Sequence, residues 1–198
     1  MEELLLGLGM SWTYAKILPY LFFFLLGVVC FLFIRKRLNS RVLKWFSSVI
    51  ILVPFGIYFL FNPIYEGDFT NNYQVRSDVS DSLNLPEGQL TVIAIPGCPF
   101  CMESIGVLKK MKERTNDPTI HFKVLTSDSS SLTPYLGEAN GAVVIEQEPE
   151  IDSFVNLARS RFPTFVFKKG KEVRIWNNDS FGTRAMDWVE EEMLKEQQ

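Results

Sequence analysis

The chain has 198 residues, with 20 Lys and Arg against 23 Asp and Glu, a single His and a net charge of −3 at neutral pH. This length accommodates one ordinary domain and a smaller additional segment. From Pro63 onward there are 14 Lys and Arg against 21 Asp and Glu, a net charge of −7. Such an acidic segment argues against nucleic acid or anionic lipid as its partner.

Two long apolar runs lie near the N-terminus. No residue from Ile17 to Ile34 is charged, and a second run extends from Trp45 to Phe61. A helix needs about 20 residues to cross about 30 Å of hydrocarbon. We therefore predict that residues 1–62 form a transmembrane helical hairpin in the lipid bilayer, with helices at 17–34 and 45–61. A buried soluble hairpin is the alternative, but the rest of the chain is too small to cover two such helices.

The charges around these runs predict the topology. A cleavable signal peptide would begin with positive charge, whereas this chain begins with Glu2 and Glu3. The positive charge lies between the two runs, at Arg35, Lys36, Arg37, Arg41 and Lys44. Short loops rich in Lys and Arg remain in the cytoplasm. We therefore expect a multi-pass protein of the cytoplasmic (inner) membrane, with both chain ends extracytoplasmic.

Residues 63–86 are rich in Asn, Asp and Ser and are predicted to be a linker that could carry a short strand or helix at its end. The remainder, residues 87–198, alternates strand and helix signals, which predicts an α/β domain with one mixed sheet. A β-branched run that ends at Pro96-Gly97 predicts a buried strand, and the spacing after it predicts a helix that stops at 116–118. The later predicted elements are strands at 119–125 and 141–145, a helix at 149–159, strands at 162–168 and 172–176 joined by a Lys-Gly-Lys turn, and a helix at 183–195 whose Glu190, Glu191 and Glu192 form a solvated face.

Cys98 and Cys101 stand at the junction between the first strand and its helix. Pro99 falls at the first helical position, where its missing N–H is harmless. The unpaired N–H groups of the helix N-terminus then face the Cys98 sulfur and favour its thiolate. Cys101, one turn later, is close enough to close a disulfide, so the motif suits thiol–disulfide exchange.

The segment IPGCPFC after a strand, together with RFPTFVFKKGKEV before a final helix, resembles the thioredoxin superfamily. The extra residues between the two motifs are similar to the insert of membrane-anchored TlpA/ResA-type thiol–disulfide oxidoreductases. The resemblance implies a thioredoxin-like fold in which Cys98 is the nucleophile and Cys101 the resolving thiol. Pro163 corresponds to the cis-proline beside the substrate chain. The substrate-binding residues implied with it are Pro99, Phe100, Phe162, Pro163 and Thr164.

The resemblance also implies the partners: protein thiols and disulfides of the envelope, an unidentified electron donor or acceptor, and no cofactor other than the Cys98–Cys101 disulfide. The buried acid of thioredoxins falls here at Val92, so proton transfer to Cys101 would depend on water or on another residue such as Glu103. Phe100 stands where strong oxidases have a His, which predicts a neutral or moderately reducing couple.

Other interpretations of the two cysteines remain open. They could be structural thiols, or the domain could be a non-catalytic subunit or assembly factor that docks in a membrane protein complex. A zinc site needs four ligands, and this domain offers only the two cysteines and His121. Copper(I) held by two thiolates is a better rival, although His121 opens a strand one helix away.

Overall fold

The computed structural model describes residues 1–38, 47–76, 83–116 and 118–196. They divide into two units, Met1–Tyr65 and Glu66–Gln198. Residues 63–65 of the expected linker 63–86 belong to the first unit, and its described residues from Glu66 onward belong to the second. Arg41, Lys44 and Trp45 of the sequence predictions lie outside the described residues.

The first unit contains helices α1 (Glu2–Gly7), α2 (Trp12–Arg37) and α3 (Leu52–Phe61). In the described residues, α2 is the one helix that is long and apolar enough to cross a membrane. Its 26 residues extend over about 39 Å at 1.5 Å per residue. Ser11 caps its N-terminus, and its last turn carries three basic residues, which suit the negative end of the helix dipole.

The second apolar run forms a shorter helix than the predicted 45–61. A 3-10 segment covers Ser47–Ile51, and the α-helix begins only at Leu52. Pro54 has no N–H to donate within a helix interior, so it occupies the first turn of α3. Two complete membrane crossings therefore remain a prediction.

Close packing joins α2 to the second apolar run. A Cβ added at Gly27 would lie 2.2 Å from the carbonyl oxygen of Ile51, so the two backbones meet where α2 has no side chain. The Tyr58 ring contacts Tyr20 edge to face at 4.8 Å and stacks on Phe23 at 4.7 Å. Small residues allow membrane helices to approach in this way.

The second unit is built on a six-stranded mixed sheet in the order β1-β6-β5-β2-β3-β4. Strands β2, β3 and β4 are parallel, whereas β5 is antiparallel to β2, β6 to β5 and β1 to β6. The elements, in chain order, are β1 (Gln74–Arg76), β2 (Leu90–Ala94), α4 (Pro99–Arg114), β3 (His121–Leu125), α5 (Thr133–Ala139), β4 (Val144–Glu148), α6 (Ile151–Ala158), β5 (Thr164–Lys169), β6 (Glu172–Asn177) and α7 (Thr183–Lys195).

Helices cover both faces of this sheet. Phe154 and Leu157 of α6 pack on Ile93, Val166 and Ile175, which share one face because strand side chains alternate. On the opposite face, rings of β3, β5 and β6 meet α5 and α7. The ring contacts there are Phe122–Tyr135, Phe167–Trp188 and Trp176–Trp188.

This order of strands, with a helix after β2 and an antiparallel β5–β6 hairpin before the last helix, is the thioredoxin-like fold, so the α/β part of the predicted fold class is confirmed. The turn between β5 and β6 contains Gly170 with φ +60, as a tight hairpin favours. The sequence prediction missed α5 and placed the fourth strand three residues early.

The start of the second unit is held against α7. Backbone atoms of Gly67 and Gly182 touch so closely that a Cβ on either residue would overlap the other. The buried Asp68 accepts a hydrogen bond from the Thr183 amide at 3.4 Å, at the N-terminus of α7. This contact satisfies one of the helix's unpaired N–H groups.

Candidate active site

The strand-to-helix turn places Cys98 at the N-terminus of α4. β2 ends at Ala94, and Gly97 in the following turn has φ +70, a conformation that glycine adopts without steric cost. Cys98 is the extended N-cap residue of α4, and Pro99 follows at the first helical position, as predicted. The fold therefore presents the first cysteine at the positive end of a 16-residue helix.

Cys98 and Cys101 are joined by a disulfide, with their Cα atoms 5.3 Å apart. The Cys98 Sγ also accepts from the Cys101 backbone N–H at 3.2 Å. Cys98 is 8 % exposed and Cys101 is 0 % exposed. Of the two sulfur-bearing residues, Cys98 is therefore the one that an external thiol can reach, and Cys101 lies behind it.

The second predicted motif lies at the same end of the sheet as the cysteines. β5 is antiparallel to β2, and Thr164 pairs with Ile93 near the end of β2. The loop before β5 therefore lies beside the turn that leads to Cys98. In that loop the Phe162–Pro163 peptide bond is cis.

The side chains predicted to contact a substrate differ in exposure. Phe100 is 57 % exposed and Pro99 is also exposed, whereas Phe162 is half-buried. Pro163 and Thr164 are buried, and the Thr164 hydroxyl donates to the carbonyl of Arg161. The fold thus brings all five predicted residues to one end of the sheet, but the accessible ones are Pro99, Phe100 and part of Phe162.

Glu103, the candidate proton-transfer residue, does not lie on the same side of α4 as Cys101. Glu103 is exposed, and it follows Cys101 by two residues, which on a helix is a rotation of about 200°. Val92, at the position of the buried acid of thioredoxins, is completely buried. The Ser104 hydroxyl donates to the Cys101 carbonyl at 2.7 Å.

Tyr135 is a residue of this site that the sequence prediction did not identify. It lies on α5, is 1 % exposed, and its hydroxyl donates to the Ile95 carbonyl at 2.6 Å. Burial raises the pKa of the Tyr135 hydroxyl above its ordinary value, while a hydrogen bond with the Cys98 backbone amide lowers it in part. The hydroxyl therefore remains protonated at neutral pH and can donate to the Ile95 carbonyl. The sequence signal that could have located α5 is Thr133-Pro134, because Pro is common in the first turn of a helix.

His121 lies at the other end of the parallel strands. It pairs with Thr91 at the beginning of β2, whereas the cysteines follow the end of that strand. Its ring nitrogens lie 2.9 Å from Glu146 and 2.7 Å from Gln89. The fold therefore does not bring His121 to the cysteines, and a shared metal site of these three residues has no geometric support.

No protein-family model matches the chain, and no curated protein matches it. Among solved structures, the chain is similar to a secreted Mycobacterium tuberculosis disulfide oxidoreductase described as homologous to E. coli DsbE. The identity is 14 % and the TM-score 0.42, over 53 % of this chain and 82 % of that one. A similarity at this level says nothing about the reaction of this chain.

Proposed function

We propose that this protein is a thiol–disulfide oxidoreductase whose reactive centre is the Cys98–Cys101 pair. One observation carries the proposal. The two sulfurs are bonded at the N-terminus of α4, and the first cysteine is the more accessible one. This arrangement suits a nucleophile that meets a partner and a second thiol that resolves the mixed disulfide.

The reaction is a two-electron exchange. In the reduced protein, the Cys98 thiolate attacks one sulfur of a substrate disulfide and forms a mixed disulfide, which releases the first substrate thiolate. Cys101 then loses its proton to water and attacks the Cys98 sulfur. The Cys98–Cys101 bond closes, and the second substrate thiolate leaves. A dithiol donor must then return two electrons to the pair, by the same steps in reverse.

The protein side of this reaction has three parts. The Cys101 N–H, 3.2 Å from the Cys98 sulfur, favours negative charge there. The exposed Phe100 and Pro99 provide an apolar surface beside the sulfur. The loop of Phe162, Pro163 and Thr164 would position the extended substrate chain.

We also propose that the protein is anchored in the inner membrane and acts outside the cytoplasm, as a relative of the TlpA/ResA type. The length of α2 and the basic residues in its last turn support an inside-facing connector. The substrates would then be protein thiols and disulfides of the envelope, because disulfides persist in that compartment.

Exchange with a model peptide disulfide tests the catalytic proposal. The reduced full-length protein in detergent should reduce the peptide, and Cys98→Ser should abolish the reaction. Cys101→Ser should instead accumulate a mixed disulfide with the peptide. The matched control is Cys30→Ser, which removes a free cysteine of α2 and should react like the wild type. Reduced wild-type protein that does not reduce the peptide disulfide would contradict the proposal.

A further inference from the structure

We propose that Tyr135 is a positioning residue for Cys98: its buried hydroxyl fixes the turn that holds the Cys98 sulfur at the N-terminus of α4. This role of Tyr135 matters for catalysis only if the proposed function is correct, so the inference rests on that proposal. The residue is not in either predicted motif. It belongs to α5, in the crossover between β3 and β4.

The turn from Ile95 to Cys98 has little hydrogen bonding of its own. The Cys98 amide approaches the Ile95 carbonyl at 3.4 Å, a long distance for an N–H···O bond. Pro96 has no N–H, and Gly97 is the residue type with the most backbone freedom. The turn therefore needs an outside contact to hold one conformation.

Tyr135 supplies that contact. Its hydroxyl donates to the Ile95 carbonyl at 2.6 Å, which is shorter than the bond within the turn. The Ile95 carbonyl thus accepts from two groups, the Tyr135 hydroxyl and the Cys98 amide, and the stronger contact comes from outside the turn.

The Tyr135 ring is fixed independently of this hydroxyl. It lies 5.3 Å from the Phe122 ring of β3, and the whole residue is 1 % exposed. A buried aromatic side chain of this kind keeps its place when the hydroxyl alone is removed. Tyr135→Phe therefore isolates the hydrogen bonds from the packing.

The position of the turn decides how the Cys98 sulfur meets its stabilising donor. The sulfur accepts from the Cys101 N–H at 3.2 Å, and this donor belongs to the rigid helix α4. If the turn moves, the sulfur moves relative to the helix N-terminus, and the thiolate loses part of its stabilisation. Weaker stabilisation of the thiolate also shifts the dithiol–disulfide equilibrium toward the disulfide.

The test is the reactivity of the Cys98 thiol in reduced, full-length Tyr135→Phe protein. The rate of Cys98 alkylation by iodoacetamide is measured against pH by peptide mass spectrometry. The thiolate fraction at a fixed pH below the thiol pKa should fall by up to about fivefold, because the worth of the lost hydrogen bond sets the upper limit of the effect. The equilibrium with a glutathione redox buffer should shift toward the Cys98–Cys101 disulfide by a similar factor.

Two further variants separate positioning from packing. Tyr73→Phe removes a hydroxyl from a residue whose ring contacts Trp176 and Arg174, and it should leave the Cys98 profile unchanged. Trp188→Phe weakens the ring packing against Phe167 and Trp176 of β5 and β6, so it should lower the unfolding temperature and leave the profile near wild type. The unfolding temperature of Tyr135→Phe confirms that the variant is folded.

An unchanged alkylation profile and glutathione equilibrium in Tyr135→Phe would overturn the inference, whether or not the unfolding temperature falls. Alkylation reports the thiol itself and needs no catalysis. A wild type that fails to exchange with the model peptide, but whose Cys98 profile moves in Tyr135→Phe, would therefore refute the proposed function and leave the positioning role intact.

Discussion

Two buried carboxylates of α7 are each paired with a basic side chain from another element. Glu190 is paired with Arg114 of α4, through contacts of 2.9 Å to Nε and 3.2 Å to a terminal guanidinium nitrogen. Glu192 is paired with Lys169 of β5 and with Lys195, the latter at 3.0 Å. The first pair links the helix that carries the cysteines to the last helix of the fold.

The Glu192 contacts predict a pH-dependent contribution to stability. The hydrogen bond from Lys169 lowers the pKa of the Glu192 carboxyl below its usual value, with burial acting in the opposite direction and Lys195 adding to the lowering. A carboxyl whose folded pKa is depressed stabilises the fold above its unfolded pKa, near 4.5, and loses this contribution as the pH falls through the folded value. Glu192→Gln should therefore lower the free energy of unfolding by about 0.5–1 kcal/mol at pH 7.

Denaturant unfolding of the full-length protein, followed by near-UV circular dichroism at several pH values, measures this difference. The loss in Glu192→Gln should shrink as the pH falls below about 4.5. Glu191→Gln is the matched control, because Glu191 lies next in sequence but is exposed. Equal losses in the two variants, or a loss that does not change with pH, would contradict the assignment.

The sequence prediction was wrong about Glu190 and Glu192, which it assigned to a solvated face. Three consecutive carboxylates are typical of an exposed helix surface, and their partners are invisible locally. Arg114 is 76 residues from Glu190, and Lys169 is 23 residues from Glu192. Tyr135 was missed for the same reason, since Ile95 lies 40 residues away. The disulfide between Cys98 and Cys101 was predictable because its two residues are only three apart in the chain.

At the scale of elements, local signals predicted most of the second unit. Pro99 at a helix start, the Gly170 turn and the alternation of β5 and β6 each depend on a few adjacent residues, and α7 matches its predicted range of 183–195. α5 was missed because its seven residues are too few for a helical period to be recognised. The residue that caps its C-terminus, Asn140, has a left-handed conformation.

The close approach of the N-terminal helices gives a second stability prediction. A methyl group at Gly27 would overlap the Ile51 carbonyl, so Gly27→Ala should force the two backbones apart at a cost of about 1–3 kcal/mol. Gly56→Ala is the matched control, because a Cβ at Gly56 in α3 meets nothing within 4 Å. Alanine is the better helix former, so this control should be neutral or stabilising.

Heating the full-length protein in detergent and measuring the fraction that stays monodisperse tests the pair of variants. Gly27→Ala should lose monodispersity at a lower temperature than the wild type and Gly56→Ala should not. If Gly27→Ala behaved like the control, the backbone contact between α2 and Ile51 would not stabilise the first unit.

At the scale of the whole molecule, the two units differ in the solvent they suit. The first exposes large apolar side chains along α2, among them Phe22, Leu25 and Phe33, which lipid would cover. The second is acidic, and its first residues are fixed to α7 by the contact between Gly67 and Gly182. An apolar helical unit joined to an acidic domain suits the membrane-anchored protein that we propose.

The proposed topology predicts which residues react from outside. The Lys- and Arg-rich connector should be cytoplasmic, so both termini and Cys98 should be extracytoplasmic. After reduction of intact cells, a membrane-impermeant maleimide should label Cys98, with any outer membrane permeabilised first. Ser40→Cys in a Cys98→Ser, Cys101→Ser background places a thiol in the connector, and it should be labelled only after the inner membrane is lysed.

The reverse pattern would contradict both the topology and the proposed compartment. If Cys98 reacted only after lysis of the inner membrane and Ser40→Cys reacted before it, the thioredoxin-like domain would face the cytoplasm. Its electron donor would then be the cytosolic reducing pool, and envelope proteins would be excluded as substrates. The disulfide exchange proposed for Cys98 and Cys101 would survive that result, because it depends on the geometry at the start of α4 and not on the side of the membrane.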